Sequence, residues 1–148
     1  MKEVEILLVE DNTGDVLLTQ EALLNWDTKN RISSVGDGEE AIRYLKESAK
    51  QCMSQLPDLV ILDINLPKLN GKQVLQFIRS EADLQHLPVV IFSSSVNDRD
   101  VNEARELRAD LYVQKPAELQ HFFDAVHTIE QFWTTYEEDF LQLLLPRV

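Results

Sequence analysis

The sequence predicts an α/β domain in which a parallel sheet is covered by helices on both faces. Three observations predict it. Short runs that are apolar throughout, Ile6–Val9, Leu59–Leu62, Val89–Phe92 and Leu111–Val113, recur along the 148 residues, as strands buried on both faces do. Amphipathic stretches of helical period separate them. Successive strand-plus-helix units take about 20–30 residues each, with no repeat and no linker between them, which describes one doubly wound domain.

The elements follow in order. A first strand is expected at about 4–9, then a helix at about 14–25 with apolar positions Val16, Leu17, Leu23 and Leu24. A short strand, Arg31 to Val35, runs through the turn signal Gly36-Asp37-Gly38 into a helix over Glu39–Glu47 carrying Ala41, Ile42 and Leu45. A polar loop ends at Pro57, and a third strand covers Asp58–Leu62. The next helix opens near Gly71 and turns Val74, Leu75, Phe77 and Ile78 to the sheet; Pro88 starts the fourth strand. A helix over about 98–107 presents Val101, Ala104 and Leu107, a fifth strand spans about 110–114, and the last helix begins after Pro116.

In a parallel sheet every strand finishes at one edge, where ligands bind. Glu10, Asp11, Asp63, Ser93 and Lys115 all follow strands, so they are expected in one crevice. Each alone reads as a turn, cap or surface residue. Together, three carboxylates, a hydroxyl and an ammonium are what a Mg²⁺-dependent phosphoryl site requires. Hard divalent cations take oxygen ligands, carboxylates form acyl phosphates, and an ammonium compensates phosphoryl charge.

Composition narrows the function. With 26 acidic against 14 basic residues the net charge is −12 and no basic stripe interrupts it, which argues against binding nucleic acid. The apolar runs fall far short of the roughly 20 residues that span a bilayer, so no membrane partner is expected. The amino terminus enters a strand with no signal-peptide pattern. The single cysteine, Cys52, excludes an internal disulfide and suits a reducing cytoplasm; it reads as an unremarkable thiol in a polar connection.

Leu8-Val9-Glu10-Asp11-Asn12, Asp58 through Pro67, Gly71, Phe92-Ser93-Ser94 and Tyr112-Val113-Gln114-Lys115-Pro116 together resemble the receiver domain of two-component response regulators. The resemblance implies a flavodoxin-like five-stranded sheet of order 2-1-3-4-5. It implies that Asp63 accepts a phosphoryl group from a histidine kinase, and that Glu10, Asp11, Asp63 and the backbone carbonyl of Asn65 hold Mg²⁺, with Mn²⁺ as a substitute. It makes Ser93 and Tyr112 a switch pair, Lys115 a phosphate contact and the Lys115–Pro116 bond cis. The chain would then be a cytoplasmic signalling protein that acts on no substrate but itself. Two features depart from the common pattern: Glu10 stands where many members have Asp, and the loop Ser48–Leu56 is long.

Two other classes fit less well. A haloacid dehalogenase phosphatase needs a second Asp two residues after the first as general acid, and here that position is Asn65. A dinucleotide-binding domain needs a glycine-rich turn after the first strand, where this chain has Glu10-Asp11-Asn12-Thr13-Gly14-Asp15.

At the carboxyl end Ile129, Phe132, Trp133, Tyr136, Phe140, Leu143 and Leu144 recur at three-and-four spacing, with Glu137, Glu138 and Asp139 opposite. A helix over 117–145 would be roughly 43 Å long, longer than the sheet it covers. Two readings stay open: a tail folded back over its own core, broken at Thr134-Thr135, or a projecting apolar face for a homodimer or partner. The end resembles regulators paired with cyanobacterial and bacterial phytochrome kinases, which implies a dimer through Phe132, Trp133, Tyr136 and Phe140. The expected division is a receiver over 1–133 and an extension over 134–148, with no separate output domain.

Overall fold

The computed structural model describes residues 3–51 and 55–144, the side chains of 142–144 excepted. Cys52 lies outside the described residues, as do the side chains of Leu143 and Leu144. Strands β1 (Val4–Val9), β2 (Asn30–Val35), β3 (Leu59–Leu62), β4 (Val89–Ser93) and β5 (Leu111–Gln114) alternate with helices α1 (Thr13–Leu24), α2 (Gly38–Gln51), α3 (Gly71–Ser80), α4 (Asp98–Glu106) and α5 (Leu119–Leu144). All strand pairs are parallel, and the sheet order is β2-β1-β3-β4-β5, as expected.

The sheet divides two apolar cores. On one face Leu7, Val9, Val60, Leu62 and Ile91 meet Ala41 and Leu45 of α2, Val74, Leu75 and Ile78 of α3 and Ala104 of α4. On the other Ile6, Leu8, Ile61, Val90 and Phe92 meet Ala22 and Leu23 of α1 and Phe122, Val126, Ile129 and Trp133 of α5. β3 and β4 are buried at every residue, which explains why they read as unbroken apolar runs rather than alternating ones.

The structure adds to some expectations and corrects others. On α1, Thr19, Ala22 and Leu23 are buried, and of the apolar positions Leu17 and Leu24 point outward, 60% and 81% exposed. At about 100° per residue, Leu17 and Leu24 fall on the side of the helix opposite the face defined by Thr19, Ala22 and Leu23. Helix α2 continues to Gln51, shortening the expected loop; Ala49 packs against the core and holds the added turn. Helix α5 passes through Thr134 and Thr135 without a break. Two β-branched residues cost a helix only a few tenths of a kcal/mol each, less than Trp133 and Tyr136 gain by packing. The described residues contain no cis peptide bond, so Lys115–Pro116 is trans; the isomers of an X-Pro bond differ by only about 0.5–1 kcal/mol. No described helix is long and apolar enough to cross a membrane.

Candidate functional site

The site is built by extending the strand ladders one residue past the sheet. Val9 pairs with Val35 on one side and Leu62 on the other. The next amides continue the pattern: Glu10 N–H donates to Val35 O at 3.0 Å and Asp63 N–H to Val9 O at 3.0 Å. Glu10 and Asp63 therefore leave the sheet side by side, at the point where strand order reverses direction, where open α/β sheets form their crevice. On the far side Lys115 N–H donates to Ser93 O at 2.8 Å.

From there the Lys115 side chain crosses β4 toward the centre of the sheet. Its Nζ lies 6.0 Å from the centroid of the Phe92 ring, which Phe122 holds edge-on at 5.2 Å. The ammonium meets Asp63 Oδ2 at 2.7 Å, Asp15 Oδ2 at 3.0 Å, and Glu10 Oε1. The remaining oxygens are also engaged: Glu10 Oε2 accepts from Asn12 N–H at 3.1 Å and Asp63 Oδ1 from Asn65 N–H at 3.2 Å.

Burial makes these contacts consequential. Glu10 is 4% exposed, Asp63 6% and Lys115 9%. Burial pushes the Glu10 carboxyl up to about 7; the Lys115 and Asn12 hydrogen bonds oppose it, and the Asp63 charge adds to it. Burial by itself would lower the Lys115 ammonium, but its hydrogen bonds to Asp63 and Glu10 prevail and hold it above the ordinary lysine range. Lys115 is thus a fixed cation beside acids that repel one another.

Carboxylate oxygens of Glu10, Asp11 and Asp63 all lie within 4.8 Å of one another. An all-oxygen, triply acidic donor set with one exposed member suits a hard divalent cation that keeps several waters. The residues present therefore fit a receiver-type Mg²⁺ site.

Most of the expected residues are brought together. Glu10, Asp11, Asp63 and Lys115 converge directly. Asn65 sits at the rim, exposed, with its amide on Asp63. Ser93 is fully buried on the neighbouring strand end, its Oγ accepting from Ser95 N–H at 3.2 Å. Tyr112 is half-buried, and its hydroxyl donates to Ser95 O at 2.5 Å. Phe132, Trp133, Tyr136 and Phe140 lie elsewhere, on α5. Trp133 is buried and stacks on Tyr136 at 5.8 Å, Phe132 is half-buried, and Phe140 is 51% exposed.

Two participants were not expected from the sequence. Asp15 enters through α1: Asn12 caps that helix by accepting from Asp15 N–H at 3.0 Å, which turns the Asp15 carboxylate inward. The cap-and-acid pattern was a legible signal for it. Ser95, where Ser93 and Tyr112 meet, carried none.

A family model, the response regulator receiver domain, matches residues 6–127. The chain belongs to the response regulator receiver family. The receiver is 38% identical over 128 residues, 86% of its length and 87% of the relative's, to the response regulator Rcp1 of Synechocystis sp.. The crystal structure of a phosphorylated cyanobacterial phytochrome response regulator, RcpA, superposes with a TM-score of 0.84 at 39% identity, covering 91% of this chain and 96% of that one. The Mn²⁺-bound form of Rcp1 matches with a TM-score of 0.80 at 37% identity, over 88% and 94% of the two chains. As a receiver, the protein takes a phosphoryl group from a histidine kinase in a reaction that uses a divalent cation at an acidic cluster.

Proposed function

We propose that Asp63 is the phosphoacceptor of this receiver. One observation carries the assignment: Asp63 leaves β3, the middle strand of the sheet, buried between the Lys115 ammonium at 2.7 Å and the Asn65 amide at 3.2 Å, with Glu10 and Asp11 clustered beside it for the cation. In the reaction a carboxylate oxygen of Asp63 attacks the phosphorus of a phosphohistidine, the P–N bond breaks, and the imidazole departs with the bonding electrons. Glu10, Asp11 and Asp63, with the Asn65 carbonyl, would hold Mg²⁺, or Mn²⁺ as in the Rcp1 crystal. The metal supplies charge neutralisation on the phosphoryl oxygens. Lys115 and Ser93 bind the transferred oxygens, and Ser93 and Tyr112 report the event to the surface. Asn65 offers no general acid, so the acyl phosphate persists as a signal and no external substrate is turned over.

The similarity to Rcp1 and RcpA supports a kinase of the phytochrome type as the phosphoryl donor, and a cytoplasmic setting. The apolar end of α5, with Phe132, Trp133, Tyr136 and Phe140, supports a homodimer in which a receiver body over 1–133 is joined by its 134–148 extension. Exposed Phe140 is the contact residue, and Trp133 and Tyr136 form the base beneath it. Asp63→Asn tests the assignment. Labelling by radioactive acetyl phosphate in Mg²⁺ should be abolished, and labelling that survives would place the acceptor elsewhere.

A further inference from the structure

Three carboxylates surround the Lys115 ammonium, which has three N–H donors to give them. Glu10 Oε1 takes one, Asp63 Oδ2 takes another at 2.7 Å, and Asp15 Oδ2 takes the third at 3.0 Å. The three are not equivalent. Asp63 is the phosphoacceptor assigned above, and Glu10 clusters with Asp11 and Asp63 about the place of the cation. Asp15 belongs to neither group, since among the described residues that cluster holds Glu10, Asp11 and Asp63 only.

Asp15 is itself held in place. It sits in the first turn of α1, where the positive end of the helix dipole favours a carboxylate. Its amide donates to Asn12 Oδ1 at 3.0 Å, and Asn12 N–H donates to Glu10 Oε2 at 3.1 Å. With Lys115 joining Glu10 and Asp15, these contacts close a ring: Glu10, Asn12, Asp15, Lys115 and back to Glu10. The Phe92 ring, 6.0 Å from Nζ, offers the ammonium no oxygen on its own side. A bound cation shares the charge of Glu10 and Asp63, and a phosphoryl group on Asp63 carries that residue's negative charge outward to its own oxygens. Asp15 alone of the three then keeps its full charge for Lys115. That matters because a lysine side chain has more rotamer freedom to lose than most.

We propose that Asp15 is the positioning residue for Lys115: it keeps one N–H of the ammonium in the cation-bound protein, so that another is aimed at the phosphoryl oxygens on Asp63. The inference rests on Asp63 being the phosphoacceptor. A donor held in its bound orientation binds more tightly than one that must be ordered on binding, so removing the anchor weakens the hold on the phosphoryl group.

The test uses the full chain, saturating Mg²⁺ and beryllium trifluoride as a phosphoryl mimic, read by ¹⁹F NMR of the bound fluorines. Asp15→Ala should raise the half-saturating concentration of the mimic about three- to tenfold, the scale of one hydrogen bond, and move the bound ¹⁹F signal. Asp15→Asn removes the same charge but keeps an oxygen for the ammonium. It should recover most of the affinity and bring the signal back toward its wild-type position. A merely structural role for Asp15 would lower the melting temperature and move neither reading. An Asp15→Ala protein that binds the mimic as tightly as wild type, or more tightly, would overturn the inference. So would Ala and Asn variants that weaken binding equally, because charge rather than position would then be the cause. Failure of the underlying assignment looks different: the wild type would show no bound ¹⁹F signal, or Asp63→Asn would show the same one, and the inference would fall with it.

Discussion

The Lys115 ammonium stands 2.7 Å from Asp63 Oδ2, a contact between residues 52 apart in sequence and on strands separated by β4. The same ammonium also meets Glu10 and Asp15. One cation therefore balances acids delivered by β1, α1 and β3, and the electrostatics of the crevice depend on it.

Replacing that cation should be costly without metal. Lys115→Met leaves Glu10 and Asp63 buried without their counter-charge, a change that typically destabilises by about 3–5 kcal/mol. Urea unfolding in EDTA should show a loss of this order. Saturating Mg²⁺ should restore most of it, because a ligand that binds only the folded state stabilises it. Equal losses with and without Mg²⁺ would mean that the lysine acts through packing against Phe92 rather than through charge.

Removing the acids should have the opposite signature. Glu10→Ala with Asp11→Ala takes away two of the three clustered carboxylates, so Mg²⁺ affinity measured by calorimetry should fall more than about tenfold. In EDTA the same variant should be at least as stable as wild type, since the carboxyl that burial pushes up most is gone.

Gly71 is required by close approach. A Cβ there would overlap the Asp63 carbonyl oxygen and lie 2.7 Å from Ile64 Cα, while Gly71 N–H donates to Ile64 O at 2.8 Å. Gly71→Ala must push α3 away from the backbone that carries Asp63, at a cost of about 1–3 kcal/mol. Phosphorylation by acetyl phosphate should slow in parallel. Full activity with wild-type stability would show that α3 tolerates the shift.

Residues on α5 should separate into two groups. Phe140 and Leu141 are each 51% exposed, so changing both to Glu should halve the mass seen by sedimentation while leaving the melting temperature close to wild type. Trp133 is 8% exposed within the core, and Trp133→Ala should cost about 3–5 kcal/mol. A Phe140 and Leu141 variant that sediments as the wild type does would overturn the dimer proposed through α5.

The two expectations for α5 meet in one helix. The apolar stripe at three-and-four spacing was plain, yet periodicity cannot say where a domain's own core stops. Trp133 and Tyr136 fall on the near side of that limit and Phe140 beyond it, because 26 residues at 1.5 Å each make a helix about 39 Å long. Leu17 and Leu24 show the same limit: they are apolar positions of α1 that sit around the helix from its buried face.

The order of elements, the buried parallel strands and the identities of Glu10, Asp11, Asp63, Ser93 and Lys115 were legible from sequence. Strand periodicity and the common edge of a parallel sheet are local rules that bring strand-end residues together whatever the loops do. Tertiary structure alone decided that Lys115 reaches across β4, that Asp15 joins from a helix cap, and that Ser93 and Tyr112 meet at Ser95. Those contacts depend on side-chain reach between elements far apart in the chain, and no residue in them carries a local pattern that names its partner.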